Sequence, residues 1–145
     1  MTGGPELGFF DTNVLVYAFD HAGSPKKVVT QRLVNELMEG DRLRPSTQVL
    51  QELFVTLTRR VSRRCSTEEA LADLEDLSAW PVTLVDYPAT RAAGQLADQA
   101  QLSFWDALVV VAAARSGAGV LYSEDLNDRQ EILGVRVCNP FLPRQ

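Results

Sequence analysis

At four places in the chain, acidic side chains stand beside or within apolar runs. Asp11 follows Leu7, Phe9 and Phe10 at the mouth of a hydrophobic run and precedes a second run, Val14 to Phe19. Glu52 interrupts VLQELFVTL, and Asp106 opens LSFWDALVVV. Glu124 and Asp125 close GVLYSED, near the other end of the chain from Asp11. Charged groups are seldom fully buried unless paired or bound to metal, so each of these needs a reason. Carboxylates gathered within a few ångström repel one another, which raises a pKa or demands a cation. Oxygen ligands with no histidine or cysteine among them suit a hard divalent ion such as Mg²⁺ or Mn²⁺. Such an ion, activating water beside a phosphodiester, outlines a hydrolase.

Each acid also has a local explanation. Asp11 is a natural cap for a helix that follows it. Ser103 and Asp106 have capping-box spacing at a helix start. Glu52 borders the apolar stripe of Val49, Leu50, Leu53, Phe54 and Leu57 and can face solvent. Asp125 suits a turn ahead of Asn127 and Asp128. Taken singly, the local readings are the more common. Taken together, the four acids matter only if the fold brings them to one edge.

The elements that must do so are legible as an alternation of strands and helices. LGFFD reads as a first buried strand. Beyond the turn DHAGSP, the spacing of Val28, Val29, Leu33, Val34 and Leu37 predicts an amphipathic helix ended by Gly40. DRLRP reads as a brief strand. Ser46 or Thr47 caps a long helix through VLQELFVTLTRRV, and Ser66 or Thr67 caps another with acids in its first turn. PVTLVD reads as a strand, PATRAAGQLADQAQL as a helix with Pro88 in its first turn. WDALVVVAAARSG is apolar nearly all round, the mark of a central buried helix. GVLYSED and VRVCNP are the last strands. This order predicts a three-layer α/β domain on a mainly parallel sheet, whose ligands bind beyond the carboxyl ends of the strands.

Composition narrows the function. The 145 residues suffice for one domain with a full core, here residues 7–145 after a short leader, 1–6. The amino terminus lacks the pattern of a secretory signal, and no run is long and apolar enough to span a membrane. Cys65 and Cys138 form no metal-binding pair and fit a reduced cytoplasm. The single histidine, His21, excludes a histidine-rich metal cluster and argues against a Ser-His-Asp triad. A net charge of −5 speaks against broad electrostatic capture of nucleic acid but leaves it open as a substrate. Arg59, Arg60, Arg63 and Arg64 in TRRVSRR are the basic exception. They suit a phosphate track with faces shared one turn apart, or a solvated helix end, the more ordinary reading. Trp80 and Trp105 are assigned to packing.

The order FFDTNVLVYAFD, the isolated acid of VLQELF, LSFWDALVVVAA and LYSEDL resembles the PIN-domain ribonucleases, more narrowly the VapC-type toxins of toxin–antitoxin pairs. The resemblance runs from about Leu7 to Pro140. It implies that Asp11, Glu52, Asp106 and Asp125 are the catalytic and metal-binding acids, with Asp125 preferred to Glu124 and Glu124 a helper. It implies that Asn13 and Ser123 orient acids or water. The implied activity is metal-dependent endonucleolytic cleavage of RNA, leaving a 5′-phosphate and a 3′-hydroxyl, with Mg²⁺ or Mn²⁺ as cofactor. The implied partners are a second copy of the chain and an antitoxin protein. Dehalogenase-like phosphatases expect an acid where Asn13 stands, and receiver domains expect a late lysine that this chain lacks. A PIN-like module that binds RNA or protein without cutting it is the remaining alternative.

Overall fold

The computed structural model describes residues 5–143. Of the expected leader, residues 1–4 lie outside the described residues. Glu6 belongs to the folded body: its carboxylate pairs with Arg136 and its carbonyl accepts from Arg42 at 3.1 Å.

Strand β1 (Gly8–Phe10) is followed by helices α1 (Thr12–Phe19), α2 (Pro25–Glu39) and α3 (Thr47–Val55). A π-helical turn, Thr56–Arg60, continues α3. Then come α4 (Thr67–Leu77), α5 (Tyr87–Ala100), α6 (Phe104–Arg115), β2 (Val120–Tyr122), β3 (Glu131–Ile132) and β4 (Val135–Cys138). The sheet order is β1-β2-β4-β3, parallel except for the β3–β4 pair, in a three-layer α/β/α arrangement.

Local chemistry explains most boundaries. Pro25 starts α2 where its missing N–H is harmless, and Gly40 caps its end. Ser66 and Glu69 form a reciprocal capping box on α4. The Asp86 carboxylate accepts from the Ala89 amide at 3.0 Å at the start of α5. Gly117, at φ +84°, lets the Gly117 and Ala118 amides turn back onto the carbonyls of Ala114 and Ala113, a Schellman ending for α6. Residues 107–113 of α6 are all buried, so the all-round apolar helix is the central one expected. Gly8 lets α2 approach the sheet closely: a Cβ there would lie 2.6 Å from Leu37 Cδ1, so that side chain would have to move.

Two expected strands are corrected. DRLRP contributes a single parallel bridge, Leu43 to Gly8. PVTLVD does not join the sheet. Its Thr83 bridges Ser46, with Thr47 N–H to Thr83 O and Thr83 N–H to Pro45 O both at 3.0 Å, and Thr47 Oγ1 accepts from the Val85 amide at 3.1 Å. Its hydrogen bonds go to the segment leading into α3, and Leu84 is left exposed. The antiparallel β3, by contrast, was not expected.

The core joins the sheet to both helical layers, with Phe9, Leu53, Leu57, Leu77, Val110 and Leu121 at or near zero exposure. Leu53→Ala should destabilise the protein by about 2–5 kcal/mol in urea unfolding. Leu84→Ala, on the exposed segment that left the sheet, should change stability by less than about 0.5 kcal/mol.

Candidate active site

Parallel pairing aligns Phe10 with Tyr122, which places the next residues, Asp11 and Ser123, side by side at the carboxyl edge of the sheet. The Asp11 amide donates to Tyr122 O at 2.9 Å, so the carboxylate emerges from the last bonded position of the strand. Asp11 occupies the N-cap position of α1, but its side chain makes no cap bond. Instead the buried Ser123 hydroxyl donates to Asp11 Oδ2 at 3.1 Å. The same hydroxyl accepts from the Asp125 amide at 3.1 Å, so one serine orders the first acid and the loop carrying the last. Asn13 Nδ2 donates to Asp125 Oδ2 at 3.0 Å.

Asp106 arrives from the opposite direction, in the first turn of α6. The Ser103 hydroxyl accepts from the Asp106 amide at 3.1 Å, half of the capping arrangement. The Asp106 carboxylate does not complete a capping box. It joins the other acids, where a positive helix terminus favours negative charge. One carboxylate oxygen from each of Asp11, Asp106 and Asp125 lies within 4.8 Å of the others.

Glu52, in the second turn of α3, lines the same cleft but stands outside this trio. The Thr12 hydroxyl donates to Glu52 Oε1 at 2.8 Å and holds it on the cleft wall. Glu124 points elsewhere. Tyr17 donates to its Oε1 at 2.9 Å and Lys26 to its Oε2 at 2.5 Å, tying the loop after β2 to α1 and α2. Its place is that of a brace for the loop, beside the acid that turns inward.

The cleft has a volume of about 370 Å³. Beyond the acids and Asn13, its wall includes Gln48, Val55, Arg60 and Trp105. Arg60 is the one cation on this wall among the described residues. The expected pairing of four arginines by helical turn is corrected. Val61 is extended at φ −75° and ψ 155°, so the helix has ended before Arg63 and Arg64, and only Arg60 reaches the cleft. The assignment of Trp105 to packing is corrected too: the residue is 64% exposed. Trp80 is packed against the core, as expected. Thr12 and Gln48 were not singled out from sequence, although each lies next to or one turn from an acid that was.

Burial, then the charge of Asp125, raises the Asp11 pKa from 3.8 to about 6. The Ser123 hydrogen bond opposes this rise, while Asp106 and Glu52 add to it. The residues fit a hard divalent cation. All the donors of this trio are carboxylate oxygens, the ligand type such an ion takes.

The raised pKa fixes the sign of a pH effect. The folded state holds the Asp11 proton more tightly than the unfolded chain, so stability falls as pH rises from about 4 to about 6, and the penalty is complete above that window. A shift of this size is worth on the order of 3 kcal/mol. In metal-free buffer, Asp11→Asn should therefore be more stable than wild type by roughly 2–3 kcal/mol at pH 7.5 and gain nothing near pH 4, measured by urea unfolding. Loss of stability at pH 7.5 would restore the capping role. Mg²⁺ should raise the melting temperature of wild type more than that of the variant.

Comparison with known proteins agrees with this architecture. No curated protein matches the sequence. Among solved structures the chain is similar to VapC20 of Mycobacterium tuberculosis, a sarcin-ricin loop cleaving toxin, with a TM-score of 0.59 and 21% identity. The match covers 80% of this chain and 88% of that one. At this identity it is a likeness of fold. The sequence model of the PIN domain matches residues 8–130, most of the chain and the whole span from Asp11 to Asp125. This chain belongs to the PIN domain family.

Proposed function

We propose that the chain is a divalent-metal-dependent endoribonuclease and the toxin of a toxin–antitoxin pair. The observation that carries this reading is convergence. Asp11, Asp106 and Asp125 come from β1, α6 and the loop after β2, and their oxygens meet within 4.8 Å in a cleft that also holds Glu52. A stable fold gains nothing from gathering carboxylates in this way, as the raised Asp11 pKa indicates. A cation and a phosphodiester turn that cost to use.

Asp11, Asp106 and Asp125 would hold the ion, with Glu52 within the same cleft. Mg²⁺ or Mn²⁺ held there would supply Lewis acidity and ease deprotonation of the water that attacks phosphorus, and the products would carry 5′-phosphate and 3′-hydroxyl ends. The chain's own residues prepare the ground. Ser123 fixes Asp11 and the Asp125 backbone, Asn13 turns the Asp125 carboxylate, and Thr12 keeps Glu52 beside the trio.

Arg60 supplies the positive charge that an acidic cleft needs to hold a phosphate. Residues 48, 52, 56 and 60 are spaced by four, and on a continuous α-helix they would drift about 120° around the axis. The π turn, with its Val61 N–H to Thr56 O bond of 3.1 Å, winds more slowly. At about 4.4 residues per turn it reverses part of that drift, leaving about 45°, so Arg60 stays on the cleft side.

VapC20 is a sarcin-ricin loop cleaving toxin, so an RNA stem-loop is a sensible first substrate here. A second copy of the chain and an antitoxin protein complete the proposal, acting in the cytoplasm. No helix among the described residues is long and apolar enough to cross a membrane.

The test is incubation of purified protein with total cellular RNA in Mg²⁺, Mn²⁺ or EDTA. Discrete fragments with 5′-phosphates should form with metal, vanish with EDTA, and be absent with Asp11→Asn. Cutting retained by that variant would overturn the assignment, and no cutting of total RNA or of the stem-loop would favour a binding module. Arg60→Gln should weaken RNA binding and reduce the slope of log affinity against log salt by about one, whereas Arg63→Gln should leave the slope unchanged.

A further inference from the structure

Two features of the cleft lie outside the carboxylate trio. Trp105 is 64% exposed although it adjoins Asp106 and is one of the largest side chains of the molecule. Its ring is steadied from one side by Phe104, with centroids 5.2 Å apart and planes at 80°. Val55, 42% exposed, is the other large apolar group at this margin. Gln48 is the second feature. It is 93% buried, and among the described residues it is the one whose buried side-chain nitrogen and oxygen both find no partner. Buried polar groups are ordinarily satisfied, so an unmet amide on a cleft wall marks a place where a ligand supplies the missing bonds.

The chemistry of the two groups selects the ligand. The Gln48 amide offers a donor and an acceptor together. A phosphate presents acceptors only, and a hydrated cation presents donors only. An apolar side chain would cover Trp105 and leave the amide unmet. A nucleobase has a π-face for the indole and an edge carrying both donor and acceptor for the amide. Arg60 on the same wall matches the phosphate that such a nucleotide brings.

We propose that the cleft contains a subsite for one unpaired nucleobase, stacked on Trp105 and read at its edge by Gln48. This deepens the ribonuclease reading and rests on it. The subsite selects for single-stranded or looped RNA, because a base held in a duplex cannot offer its face. Trp105 and Gln48 are thus specificity-determining residues, and the acids alone carry the hydrolysis.

Binding of short RNA oligomers tests the proposal, in the Asp11→Asn background with Mg²⁺ so that strands stay intact. The probes are homopolymers of the four nucleotides and an abasic ribose-phosphate oligomer of equal length. Base-bearing strands should bind about 5- to 150-fold tighter than the abasic one, the range that one aromatic stack provides. Trp105→Ala should abolish that difference, and Trp105→Phe should keep most of it. Gln48→Leu should maintain or raise the melting temperature while narrowing the spread of affinities among the four homopolymers.

Equal binding of base-bearing and abasic strands would overturn the subsite while leaving the ribonuclease reading intact. If Trp105→Ala then also halved the molecular mass in light scattering, the ring would belong to contact with a second copy. Binding of none of the strands, together with no cleavage by wild type, would overturn both readings. A lowered melting temperature for Gln48→Leu with the spread unchanged would make Gln48 a packing residue and remove it from the subsite.

Discussion

Mutual repulsion of carboxylates at a partly buried edge is the constraint around which this structure is arranged. Asp11 stands at the centre of it, with its pKa raised to about 6 by burial first and by neighbouring acids after that. Burial alone would penalise a lone aspartate at that position, and the neighbouring acids add to the penalty. Three acids in one place require devices that hold them there against their own field. Ser123 is the main one, since a single buried hydroxyl contacts both the Asp11 carboxylate and the Asp125 backbone. Two helix amino termini, those of α1 and α6, face the cluster and offset part of its charge.

The parallel sheet makes such a gathering feasible. Adjacent parallel strands end on the same edge, so residues far apart in sequence become neighbours with fixed spacing. Asp11 and Ser123 are separated by most of the chain, yet the Phe10–Tyr122 register leaves them no other position. The buried helix α6 does the same for Asp106. Its apolar residues 107–113 anchor it in the core, and its amino end projects the acid to the edge. Core packing and site geometry are therefore one problem, because a shift of α6 would move a ligand.

The opposite wall of the cleft obeys a different logic. Thr12, by binding Glu52, ties the first turn of α1 to α3, while the π turn carries the cleft-facing row of α3 as far as Arg60. This wall holds the one cation among the cleft residues described and the unmet amide, while the exposed indole stands on α6 beside Asp106. The chain's net charge is −5 although its proposed substrate is a polyanion. In the proposed reading, attraction would be delivered locally, by a metal and an arginine, and not by the surface as a whole.

Sequence by itself determined most of the helices, the strands β1, β2 and β4, the buried character of α6, most helix caps, and the acids that needed a reason. Those are local properties, set by apolar period, by turn chemistry and by the rarity of buried charge. It also misled where tertiary context prevails. PVTLVD has the composition of a strand, but its hydrogen bonds were claimed by the segment before α3. The β3–β4 hairpin escaped notice because Leu133, at φ +52°, occupies a left-handed turn position that gives no sequence signal ahead of Gly134. The arginine pairs assumed a continuous helix that ends at Arg60. Only the tertiary structure decided that three acids converge while Glu52 stands beside them and Glu124 turns away to Lys26. It alone exposed Trp105 and left Gln48 unpartnered. These depend on which side chain reaches a shared partner first, a competition among residues distant in sequence that no local pattern records.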